Sequence, residues 1–85
     1  MTTSELKAHL VKVRKPVARK AYNRGLPVFL IVKGYNLHSD WVIPARVTNA
    51  DGQTFENCLN YFSYYNGGSE PWYYLVDEDY NAMMQ

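Results

Sequence analysis

His38, Ser39 and Asp40 are the residue types of a hydrolytic triad, and they stand consecutively in the run GYNLHSD. Three adjacent side chains cannot converge as nucleophile, base and orienting carboxylate, so the run reads as a loop that caps a strand. NGGSE (66–70) has two glycines but neither phosphate-loop nor dinucleotide spacing, and it reads as a helix stop. Asp77-Glu78-Asp79 could touch a cation, yet no twelve-residue calcium loop surrounds it. Two histidines, His9 and His38, and a lone Cys58 are too few for a closed zinc site of Cys and His ligands. No catalytic residue, metal ligand or cofactor is expected, and the chain reads as non-enzymatic.

What remains is recognition chemistry. Seven aromatic side chains lie between Tyr61 and Tyr74, and eight of the nine Lys and Arg lie in residues 1–33. With Glu5 as the only acid there, the first 33 residues carry +7. Residues 34–85 carry −6, with Arg46 against Asp40, Asp51, Glu56, Glu70, Asp77, Glu78 and Asp79. A chain so divided either presents opposite charges to different partners or pairs them within one fold or dimer.

The elements that would position these groups follow from periodicity. Eighty-five residues make one small domain, expected over 1–76, with 77–85 as an acidic C-terminal tail. One cysteine allows no internal disulfide, so apolar burial must hold the fold. The longest apolar run, Val28–Val32, is far short of the roughly 20 residues of a membrane span. A cytoplasmic setting in a bacterial host cell is therefore expected, with no membrane partner.

Thr2 and Glu5 fit a capping box, and Leu6, Leu10, Val13, Val17 and Ala21 recur as one helical stripe. A helix over 3–14, a break at Pro16 and a helical piece over 16–24 are predicted, closed by Gly25 and Pro27. VFLIVK (28–33) is apolar on both faces, as in a central strand. Residues 41–48 read as a second strand, placed at a sheet edge by Pro44. A helix over 54–66 and a strand over 72–76 complete the order. The expected class is α+β, α-β-β-α-β, with a three-stranded, mainly antiparallel sheet of order 3-1-2 and the helices packed on one face.

That arrangement sorts the side chains. Phe55, Leu59 and Phe62 share the buried side of the 54–66 helix with Cys58 beside them, Tyr65 falls at its boundary, and Tyr64 points away. Alternation buries Val28, Leu30, Val32, Ile43, Val47, Tyr73 and Leu75 under the helices. Phe29, Ile31, Lys33, Val42, Arg46, Trp72 and Tyr74 fall on the other face. An apolar patch rimmed by cations marks an interface, unless the tail, the 34–40 loop or a homodimer seam covers it. Phe29, Ile31, Arg46, Tyr64, Trp72 and Tyr74 are thus the candidate contacts for a protein partner. The alternative is single-stranded nucleic acid. Lys12, Arg14, Lys15, Arg19, Lys20, Arg24 and Lys33 would then meet phosphates while the sheet rings stack bases.

The runs ARKAYNRGLPVFLI (18–31) and TFENCLNYFSYYN (54–66) resemble small accessory proteins of bacterial phages and mobile elements. In those, a glycine-closed helix leads into a V-x-L strand and a later helix closes with Tyr-Asn. Such elements encode inhibitors of host systems, including anti-CRISPR and anti-restriction proteins. The resemblance implies a stoichiometric inhibitor or adaptor that binds a host protein or complex, and it supplies no site residues.

Overall fold

The computed structural model describes residues 2–85. Along the chain lie α1 (Thr3–Ala8), β1 (Leu10–Val13), α2 (Lys15–Asn23), β2 (Val28–Val32) and β3 (Ala45–Val47). They are followed by α3 (Phe55–Tyr65), β4 (Pro71–Val76) and α4 (Asp77–Met83). The class is α+β, as the sequence indicates, but the sheet has four strands rather than three. Its order is β1-β4-β2-β3, every neighbouring pair antiparallel. The three expected strands keep their order, and β1 is added outside β4.

β1 is the principal correction. The stripe from Leu6 to Ala21 belongs to three elements rather than one broken helix. The capping box is present, with the Thr2 hydroxyl accepting from the Glu5 N–H at 3.2 Å, yet α1 stops at Ala8. Leu-Val-Lys-Val then pairs with β4, where β-branched residues fit a pleated surface better than a helix. Pro16 opens α2 instead of kinking a helix, because a missing N–H costs nothing in a first turn. α2 ends as predicted: the Gly25 N–H reaches the Tyr22 carbonyl and the Leu26 N–H the Ala21 carbonyl, with Gly25 at φ 87°.

The strand predicted over 41–48 is confined to 45–47, and residues 34–43 form a loop of successive turns. The segment 77–85 is not a tail outside the domain. Residues 77–83 form α4, whose Met83 is buried in the main core with Tyr80 packed beside it.

Two cores flank the sheet. On one side, Ala18, Ala21 and Tyr22 of α2, Phe55 and Leu59 of α3 and Met83 of α4 close over Val28, Leu30 and Leu75. On the other, Phe29, Ile31 and Tyr74 are covered by Leu37 and Val42 of the loop and by Leu6 of α1. The helices therefore do not all share one face. The buried Lys7 ties the second cover together, its Nζ donating to the Ser39 carbonyl at 2.8 Å.

Candidate protein-binding surface

Alternation places Phe29, Ile31 and Tyr74 on the sheet face assigned to them, but that face is not open. They are 4%, 3% and 6% exposed. The 34–40 loop that could cover this face does so, joined by α1, and a partner could reach these three residues only by lifting both. Burial accordingly pushes the Tyr74 hydroxyl above its ordinary value. Trp72 lies half-buried at the margin of this core, with the Lys12 ammonium 3.6 Å from its ring centroid. Arg46 is exposed on β3, across from Phe29. Of the six candidate contacts, only Arg46 and Tyr64 are exposed.

The candidate cations do not form one helical strip either, since Lys12 lies on β1 and Arg14 precedes α2. Arg19 donates to Glu56 through Nε at 3.1 Å and through Nη2, and Lys15 lies 3.8 Å from the same carboxylate. Those contacts, the Arg19 hydrogen bond first among them, hold Glu56 below its ordinary value. Lys33 pairs with Glu70 at 3.7 Å. Arg14, Lys20 and Arg24 are exposed and make no ion pair among the described residues.

Tyr64 belongs to a larger set of exposed apolar side chains. Trp41, Ile43, Tyr64 and Tyr65 are 68%, 75%, 79% and 77% exposed, with Tyr35 and Tyr61 also open to solvent. Two T-shaped pairs stiffen the set: Tyr35 with Trp41 at 4.9 Å and Tyr64 with Tyr65 at 5.2 Å between centroids. Three shallow depressions join them. One of about 240 Å³ is bordered by Tyr35, Trp41, Ile43, Phe62 and Asn66. A second of about 280 Å³ shares Phe62 and Asn66 and runs past Ala45 and Val47 to Tyr61 and Tyr65. The third, about 590 Å³, continues over Tyr61, Tyr64 and Tyr65 to Asn57, Asn60 and Gln53. No charged side chain lines any of the three.

Local sequence explains the strip. α3 starts at the Thr54 cap, whose hydroxyl accepts from the Asn57 N–H at 3.1 Å, and stops at Asn66-Gly67-Gly68, where the Gly68 N–H returns to the Ser63 carbonyl. Phe55 and Leu59 turn inward, which leaves Tyr61 and Tyr64 outward. Tyr65, expected at the boundary of the buried side, is exposed because three-residue β3 gives the last turn of α3 little sheet to rest on. Ile43 is expected from alternation to face the helices, and Trp41, two residues before it, shares that side. They point outward because Val42 between them fills the second core and Pro44 is buried.

The chemistry-bearing types remain apart. His38, Ser39 and Asp40 stay within the loop, and Ser39 is used through its carbonyl. His9 Nδ1 meets Asp77 at 3.1 Å on the exposed surface, which holds that carboxyl below its ordinary value. Among the described residues no three His, Cys, Asp or Glu side chains converge as a metal site, and no helix is long and apolar enough to cross a membrane. Comparison with protein-family models, curated proteins and solved structures finds no match to this chain.

Proposed function

We propose that this chain is a non-enzymatic protein-binding module, a stoichiometric inhibitor or adaptor that docks an uncharged aromatic strip on a larger host protein. The observation that carries this reading is the continuous strip of Tyr35, Trp41, Ile43, Tyr61, Tyr64 and Tyr65 with no charged side chain in its depressions. Aromatic enrichment with depletion of charge is the composition of an interface centre. Rings of this kind cover about 150–250 Å² each, so the strip offers on the order of 800 Å², the share one partner contributes to a standard interface. The phage or mobile-element setting and a defence-system target rest on the resemblance of residues 18–31 and 54–66 alone, and a cytoplasmic setting on the shortness of the longest apolar run.

The nucleic-acid reading has less support. The sheet rings that would stack bases lie under α1 and the loop, and Lys12, Lys15, Arg19 and Lys33 are engaged within the fold. Affinity capture from host lysate separates the two. A protein partner retained by wild type and by Arg14→Ala/Lys20→Ala, but lost by Tyr61→Ser/Tyr65→Ser, is the expected result. Capture of nucleic acid that fails with the cation variant and survives the tyrosine variant would overturn the reading.

A further inference from the structure

We infer that β3 is a docking edge, to which an extended segment of the partner protein with alternating apolar and acidic residues adds as a fifth strand. The inference rests on the protein-binding reading above and names its mode of contact and the chemistry of the partner segment.

Two backbone hydrogen bonds fix which groups face outward. The Lys33 N–H donates to the Glu70 carbonyl at 2.8 Å, and the Asp77 N–H donates to the His9 carbonyl at 2.8 Å. In an antiparallel ladder, hydrogen-bonded and non-hydrogen-bonded pairs alternate. The register then directs the backbone groups of Phe29 and Ile31 toward β4, and those of Val28 and Leu30 toward β3. Ala45 and Val47, opposite Leu30 and Val28, turn their N–H and C=O groups inward to β2. Arg46 turns its N–H and C=O outward, away from the sheet. An edge strand with an outward donor and acceptor is a template for strand addition.

The side chains define what would pair there. A residue opposite Arg46 shares its face, and the residues on either side of it turn to the opposite face. On that face runs the groove of Ala45, Val47, Tyr61, Phe62 and Tyr65, which is apolar and aromatic. Arg46 is exposed and makes no ion pair among the described residues. The complement is apolar–acidic–apolar. A second copy does not fit, because Ala-Arg-Val paired with itself sets Arg46 against Arg46, and like charges directly opposite are unfavourable. The other edge, β1, is less suited, since of its two outward residues Leu10 packs against the second core and Lys12 is already held over Trp72.

Capped nine-residue peptides with Val-Glu-Val or Val-Lys-Val at the centre and Ser-Thr flanks provide the test, titrated into the isotopically labelled chain with amide shifts and exchange read by NMR. The Glu peptide should slow exchange of the Arg46 amide and bind about tenfold tighter than the Lys peptide. Arg46→Glu should reverse that preference. Arg46→Pro, which removes an outward N–H and keeps the bonds to β2, should abolish binding while the other sheet amides stay protected. An Arg46 amide unmoved at millimolar Glu peptide or full binding by Arg46→Pro would overturn strand addition, and equal binding of both peptides would overturn the acidic partner segment. Capture of a protein partner through Tyr61 and Tyr65 would survive any of these, so failure of the edge and failure of the surface are told apart.

Discussion

The buried Tyr22 ring lies 5.2 Å from that of Phe55, its hydroxyl donates to the Gln53 carbonyl, and its own carbonyl accepts from Asn49 Nδ2 at 3.0 Å. Tyr22 thereby ties the end of α2 to the segment that leads into α3. Burial pushes its hydroxyl up to about 12, reinforced by Cys58 and Asp51. Because the neutral phenol is the form the fold favours, its contribution is complete below the ordinary value of 10.0 and is lost as pH rises from there to about 12. Urea midpoints should therefore fall between those values in wild type. Tyr22→Phe should be about 1 kcal/mol less stable at neutral pH and show a shallower alkaline slope, with the remainder from Tyr73 and Tyr74, which burial also raises. The role of Tyr22 was not legible in the sequence, because its partner is a backbone carbonyl 31 positions away.

β1 and the 34–43 loop are where local pattern and tertiary packing disagreed. Leu6, Leu10, Val13, Val17 and Ala21 fit a single helical face, and against that periodicity Val11 and Val13 give only a weak local preference for a strand, while Pro16 marks a break without saying what precedes it. The choice is made by Tyr73–Val76, whose outer side would otherwise be an unpaired edge. Face assignments on β2 and β4 were legible because alternation is a local property. Whether a face was covered was not, because Leu37 and Val42 come from a loop whose path depends on Lys7 reaching Ser39. Proline scanning of β1 tests the corrected element. Val11 directs its N–H to β4, opposite Leu75, whereas Lys12 directs its N–H away. Val11→Pro should cost about 1–3 kcal/mol through an orphaned ladder group, and Lys12→Pro markedly less. Equal losses in urea denaturation would favour the helix predicted over 3–14.

Across the molecule, the opposed charges of the two halves are turned in part on each other. His9 with Asp77, Lys15 and Arg19 with Glu56, and Lys33 with Glu70 all join residues 1–33 to residues 34–85. These contacts are exposed and hold little energy, but they leave the charge-free strip of α3 and the loop as the distinctive surface. Composition pointed to an excess of rings over what a small core needs. It misplaced most of them, because exposure at Trp41, Ile43 and Tyr65 follows from a short β3 and an inward Val42 rather than from helical or strand periodicity. Site-specific photo-crosslinking in the native cell tests the surface directly, with a benzophenone side chain placed in turn at Trp41, Tyr64 and Arg24. The strip positions 41 and 64 should crosslink to one common protein, and position 24, on the basic end of α2, should not. Crosslinks to nucleic acid or protein from position 24 with none from 41 and 64 would contradict a partner held by the aromatic strip.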